Sequence, residues 1–319
     1  MFAARCIGVS LAVFVLLYVF LSLLISQGWK LMRHTLRPSS ARGAADLLFA
    51  LRVLPLGLSV LVTVAFTLPS FLLLEPRSTG EAVGTAPLAL GVCCLVLLGA
   101  GVARAALAQW RASRALVGWL NGSALMERHI KESGNAVPIF RIGNDAPTLT
   151  VAGVCAPKVL VSEVAIAALT SRELRTALRH EIAHAIRYDN LRKLLFRFSA
   201  FPAMDELEHA WSEETEMAAD DAAVFSFHDA LDLAAALIKV SRLGPVESSG
   251  ELTMALLHSS TALSARVHRL VAWDQAHKPQ SRGRWFYVVP AVAAFVIAAV
   301  MTYGSVLSQM HVVTEWLVR

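Results

Sequence analysis

The stretch ALRHEIAHAIRYDN, residues 177–190, sets His180, Glu181 and His184 in the order H-E-x-x-H. Residues four apart on a helix share a face, so His180 and His184 can aim imidazole nitrogens at one cation from successive turns. Glu181, beside the first ligand, can reach a water near that cation without binding it. A metal held there draws the pKa of a water towards about 7, and the carboxylate takes its proton during attack on a peptide carbonyl. The plainer reading of the same five residues is a surface helix with two hydrogen-bonded histidines.

A catalytic zinc site keeps three protein ligands and an open position, so a further ligand must come from elsewhere in the chain. WSEETEMAADDAAV, residues 211–224, supplies the best candidate: Glu216 and Asp220 lie four apart on a second expected helix. Glu216 can then complete the metal site. Metal-binding imidazoles commonly donate their other N–H to a carboxylate, and Asp220 is placed to receive it from His180 or His184. Met217, Ala218 and Ala222 to Val224 would pack this helix on the first. Without the upstream motif, a solvated acidic face built from Glu213, Glu214 and Asp221 would explain the run equally well.

The elements that must position these residues belong to an apolar chain. Of 319 residues, 56% are hydrophobic and 17% charged, well off the balance of a soluble domain. Net charge is +5, but the basic residues gather beside apolar runs and no recognition motif accompanies them. They suit anionic headgroups, and direct binding of nucleic acid is not expected. Cys6, Cys93 and Cys94 fall in apolar runs and Cys155 in a polar one, so neither a disulfide framework nor a thiolate metal cluster can be drawn.

Four runs approach the roughly 20 residues needed to cross about 30 Å of hydrocarbon: Cys6 to Ile25, Val53 to Leu74, Pro87 to Leu107 and Phe286 to Leu307. The first has a single N-terminal charge, Arg5, and no A-x-A site after it, so it reads as a retained anchor. The segment after it carries Lys30, Arg33, Arg37, Arg42 and Arg52 against Asp46, whereas the segment after the second run has only Glu75, Arg77 and Glu81. The positive-inside bias places the first loop in the cytoplasm, and alternation then puts the long region between the third and fourth runs there too. Arg104, Arg111 and Arg114 at one edge of that region, and Lys278, Arg282 and Arg284 at the other, agree. Trp285, Phe286 and Tyr287 read as an interfacial belt, and Pro55 and Pro69 would kink the second run.

Three parts are expected: residues 1–107 as a membrane domain with three spans, 108–285 as a cytoplasmic domain, and 286–319 as a fourth span with a short extracytoplasmic tail. In the middle part, 108–133 reads as a helix continuing from the third span. PIFRIG, TLTVAGV and PKVLVS read as two or three strands, and helix dominates after an N-cap at Ser171.

LTSRELRTALRHEIAHAIRYDN, with APKVLVS before it and EMAADDAA after it, resembles the membrane metallopeptidase family of the beta-lactam sensor-transducers, the antirepressors that switch on resistance genes. In that family a P-x-[IV] segment precedes an L-T-x-x-E-L helix that leads into H-E-x-x-H and an R-x-D-N element, here Arg187, Asp189 and Asn190. An E-x-x-x-D helix gives the third ligand, matching Glu216 with Asp220. The similarity covers about residues 138–271. It implies a mainly α membrane protein: four transmembrane helices, with an α+β zincin-like metallopeptidase domain between the third and fourth. It also implies Zn2+ on His180, His184 and Glu216, Glu181 as the base, and Asp220 and Asp189 supporting the ligands. The family often has Cys before the Asp of its second motif, where this chain has Ala219, as in the heat-shock and CAAX-type membrane peptidases. Those relatives place further spans between the two motifs, and the charged stretch with Arg192, Lys193, Arg197, Asp205 and Glu206 cannot hide one.

The resemblance further implies a multi-pass protein of the bacterial inner membrane, embedded in lipid, that cuts a protein on the cytoplasmic side, a transcriptional repressor being the family's example. The sensor-transducers carry an extracellular penicillin-binding domain after the last span, and this chain ends at Arg319, so its cue is expected from a separate extracytoplasmic partner or from self-association. A quality-control metalloprotease and an idle signalling scaffold are the rival readings. TLTVAGV sits where such enzymes keep the edge strand that pairs with substrate, which makes Thr150, Val151, Ala152 and Gly153 expected substrate contacts; a purely structural strand is the alternative. Arg187, Tyr188, His209, His228 and His258 are open as oxyanion partners. Residues 257–273 resemble the family's closing helix, where Arg266 would meet a carboxylate near the site; an amphipathic surface helix is the plainer reading.

Overall fold

A computed structural model describes residues 2–33, 40–74, 84–121, 123–127, 131–132, 135–143, 147–199, 204–243, 254–255, 260–273, 303–310 and 312. Three stretches of helix are long and apolar enough to cross a bilayer: Phe2–Met32, Ala41–Leu74 and Thr85–Leu120. The first is α1 (Phe2–Met32); the second is α2 (Ala41–Val62), a π turn at Thr63–Thr67, and α3 (Leu68–Leu74). The π turn is where Pro69 acts: a proline four residues on leaves the Ala65 carbonyl without its helical donor. Tyr303 fills the gap, its hydroxyl donating to that carbonyl at 2.9 Å. Pro55 sits inside an unbroken α2.

Most of the fourth apolar run lies outside the described residues, as do Trp285, Phe286, Tyr287, Lys278, Arg282, Arg284 and His258. Of that run, 303–307 are described, and they are helical. Met310, a few residues on, packs with Cys6, Val9 and Phe71 at the end of the bundle away from the domain.

The third span, α4 (Thr85–Leu120), stops well short of the expected 133. Asn121 leaves helical geometry, and the chain turns into β1 (Ala124–Glu127), followed by the short pair β2 (Lys131–Glu132) and β3 (Asn135–Ala136). The three runs read as strands are β4 (Ile139–Ile142), β5 (Leu149–Ala152) and β6 (Lys158–Ser162). Then come α5 (Glu163–Ala168), α6 (Ser171–Arg187), α7 (Asp189–Phe198), α8 (Asp205–Ala223), α9 (Phe227–Arg242), β7 (Met254–Ala255) and α10 (Ser260–Val271).

The sheet runs β1-β4-β6-β5-β7, antiparallel throughout except for the parallel pair β4 and β6. Both faces are covered, which is why these strands read as continuous apolar runs. Ile139, Leu149, Val151, Val159 and Val161 pack with Ala177, Leu178 and Ile182 of α6 and Leu233 and Leu237 of α9. On the other face Ile142, Ala152 and Leu160 meet Leu116, Trp119 and Leu120 at the end of α4. The helix that carries the histidines is thus clamped against a sheet resting on a span.

Candidate metal centre

The first site helix is capped by Thr170, one residue before the expected Ser171. Thr170 and Glu173 form a reciprocal capping box: Glu173 N–H donates to Thr170 Oγ1 at 3.3 Å, and Thr170 N–H to Glu173 Oε2 at 2.8 Å. Lys239 of α9 adds contacts to both Glu173 oxygens at 2.9 and 2.7 Å. Burial would push this carboxyl up, but Lys239 and the Thr170 groups overcome it and hold it below the usual carboxylate range. The helix therefore starts at a fixed point, and its periodicity delivers His180 and His184 to the side facing α8.

His180, Glu181, His184, Glu216 and Asp220 are all buried. His180 Nε2 and His184 Nε2 approach to 3.2 Å. The Glu216 carboxylate from α8 closes the group, 3.5 Å from His180 Nε2 and 3.7 Å from His184 Nε2. One ligand atom from each of His180, His184 and Glu216 lies within 4.8 Å of the other two, so the trio could hold a metal ion.

What lies behind the imidazoles decides which atoms face inward. Asp220 Oδ1 is 3.0 Å from His180 Nδ1, and Asp189 Oδ2 is 2.8 Å from His184 Nδ1. The sequence left Asp220 open between the two histidines; it serves His180, and Asp189 serves His184. A carboxylate against each Nδ1 keeps a proton on that nitrogen, which turns both Nε2 lone pairs, and a carboxylate oxygen, toward one point. Three acceptors converging without a donor repel one another, and a cation resolves the conflict. A proton shows the same demand: burial opposes charge on His180, yet Asp220 and Glu216 raise its pKa to about 9.

Asp189 reaches His184 because the chain reverses at Tyr188, the one non-glycine with positive φ among the described residues (φ 54°). A left-handed conformation in a tyrosine is unfavourable by about 1–2 kcal/mol, and here it joins α6 directly to α7. Asn190, next along, donates its side-chain amide to the carbonyls of Val151 at 3.1 Å and Gly153 at 3.2 Å. The R-x-D-N element thus ties His184 and β5 to one turn.

Arg266 of α10 comes into the centre itself. Its Nε and Nη2 donate to Asp220 at 2.9 and 2.6 Å, and Nη1 to Glu216 Oε2 at 2.7 Å. The surface-helix alternative for this residue is set aside, since Arg266 is buried. Burial would raise both carboxyls; Arg266 overcomes it, holding Asp220 below and Glu216 well below the usual range. Arg266 engages Oε2, the oxygen that also lies nearest His180, and Oε1 is the one set toward His184.

Glu181 stands apart from this pairing: neither of its oxygens has a hydrogen-bond partner among the described residues. Burial pushes its carboxyl up to about 8, with the Val151 backbone close by. β5 therefore borders the site, but it is not the edge strand expected for Thr150, Val151, Ala152 and Gly153. Its outer side is paired with β7, Thr150 opposite Ala255 and Val151 opposite Met254. Long unpaired strand edges are aggregation-prone, and here the chain covers one with its own segment. Gly153 leaves the strand at φ 94°, where a Cβ would lie 2.7 Å from the Ala156 carbonyl oxygen.

Of the open oxyanion candidates, Arg187 turns to Asp189 and Asp46, while Tyr188, His209 and His228 are exposed. A cation the sequence reading passed over is Lys193. It lies four residues after Asp189 on α7, and its ammonium is pulled down to about 8 by burial, against the opposing pull of Glu216, Asp189 and Glu181. The i, i+4 spacing from Asp189 was the available signal.

No family model matches the chain, and no curated protein matches it.

Proposed function

We propose that the chain is a zinc-dependent membrane endopeptidase, with His180, His184 and Glu216 holding the metal. What carries the reading is the pairing of two features: three acceptor atoms converge on one point, and the unpartnered, buried carboxylate of Glu181 stands beside them. A bound zinc would supply Lewis acidity there. Glu181 takes the proton of an attacking water, a task suited to a carboxylate whose proton affinity burial has raised towards neutrality. Asp220 and Asp189 fix the imidazoles, and Arg266 fixes Glu216. Zinc is the metal that suits the donor set of two imidazoles and one carboxylate.

The catalytic domain faces the cytoplasm in this reading, because it docks on the side of the basic first loop: Arg33 and Lys30 meet Glu206 of α8. Regulated cleavage, of which repressor cleavage is one form, agrees with the resemblance to the antirepressor family.

Zinc content and hydrolysis of β-casein by the full chain in proteoliposomes test the assignment. Wild type and Glu181→Gln are expected to hold about one zinc each, with hydrolysis about 10²- to 10⁴-fold slower in the variant. Glu216→Ala is expected to lose the metal; full occupancy and activity in it would remove Glu216 from the site.

A further inference from the structure

The depth of the metal centre relative to the bilayer can be read from how α7 meets the spans. Three contacts fix its C-terminal end. The Tyr18 hydroxyl, inside the apolar stretch of α1, donates to the Ser199 carbonyl at 2.6 Å. Arg52, the last charge of α2 before its apolar run, donates to the same carbonyl at 3.0 Å and to Ser199 Oγ at 3.2 Å. On α4, a Cβ placed on Gly101 would lie 2.3 Å from the Phe198 carbonyl oxygen, so the two backbones touch just before Arg104. Arg52 on α2 and Gly101 on α4 put the end of α7 at the boundary between apolar and charged residues, and Tyr18 on α1, seven residues before Ile25, puts it inside the apolar stretch.

The other end of α7 is Asp189, the partner of His184. Ten residues of helix, at about 1.5 Å each, separate the two ends by about 15 Å. α2 gives a matching level: Asp46 pairs with Arg192 at 2.9 Å and Arg187 at 3.7 Å, and it lies six residues, about 9 Å, outside Arg52. The headgroup layer is itself about 5–7 Å thick. Leu191 and Leu195 of α7, with Tyr188 at the turn before it, are left exposed by the protein, as suits a helix standing in that layer.

Resting on the peptidase reading, we infer that the substrate is a protein anchored in the same bilayer, cut in the segment that emerges from its own span. At about 3.3 Å per residue, an extended chain covers 15 Å in about five residues, so a bond that close to a span reaches the centre without unfolding anything. Tethering also raises the local concentration of that bond, and a freely diffusing protein lacks this advantage.

The test presents one β-casein segment in two forms to the full chain in zinc-loaded proteoliposomes: free, and fused to a single transmembrane helix. The fused form is expected to be cut about 100-fold faster, with cuts mapped by mass spectrometry falling about 5–15 residues from the span. Equal rates for the two forms, or cuts spread along the fused segment regardless of distance, overturn the inference while leaving the peptidase reading intact. Cleavage of neither form, with zinc bound, defeats both.

Discussion

Two buried polar clusters stand at opposite ends of α7, and they are built on different rules. At the membrane end, every guanidinium nitrogen of Arg52 donates: Nε and Nη2 to Glu208 at 2.9 and 2.8 Å, and Nη1 and Nη2 to Ser199. Ser199 Oγ donates in turn to the Leu195 carbonyl, and Phe196 and Trp211 pack edge to face alongside. At the metal end, charge is gathered but not cancelled atom by atom: Glu181 keeps two unpaired oxygens and the histidine Nε2 atoms face each other. The guanidinium at the joint is paired on every nitrogen, although the Trp211 indole nitrogen beside it is not, whereas at the other end the carboxylate of Glu181 is left without a partner among the described residues. The same helix links a closed joint to an open site.

Breaking the arginine at each end sets the two rules against each other. Arg266→Ala should have the largest effect, because it leaves Glu216 and Asp220 buried without their cation. A loss of about 3–5 kcal/mol is expected, read by thermal or denaturant unfolding. Asp189→Asn should keep the fold and weaken zinc about 10- to 100-fold, measured by competition with a chelating dye. Arg52→Met at the joint should cost about 1–3 kcal/mol while zinc affinity stays as in the wild type. A fall in zinc affinity there would show that the two clusters are not separable.

The smallest effect concerns the cap. Glu173→Gln should cost about 1 kcal/mol at neutral pH. Since the folded state holds Glu173 below its unfolded value of about 4.3, its contribution is complete above that value and is lost as pH falls through the lower folded value. The stability gap between wild type and variant should therefore be flat above about pH 5 and close on acidification.

The metal end was largely legible in the sequence, because helical spacing is a local property. His180 and His184, like Glu216 and Asp220, announce a shared face by standing four apart, and Glu181 follows from its neighbour. The partner of each imidazole was less so, since it depends on a left-handed Tyr188 that has no glycine to advertise it. β7 was illegible: two residues pair with a strand about a hundred positions earlier, and no periodicity marks them. The joint was hidden for the same reason. Tyr18 looks like an ordinary residue of a span and Arg52 like one more cation of the basic first loop, and only packing brings them to Ser199. The overlong expectation for α4 came from reading an apolar helical pattern past Asn121, where a turn intervenes.

Tyr18 and Arg52 both grip the main-chain oxygen of residue 199. That atom is supplied by every amino acid alike, so drift at this position can erase the hydroxyl yet leave the principal hinge pin in place. The vulnerability is transferred to the two donors on separate spans, and a family of such chains would be expected to vary at 199 while holding its tyrosine and arginine steady.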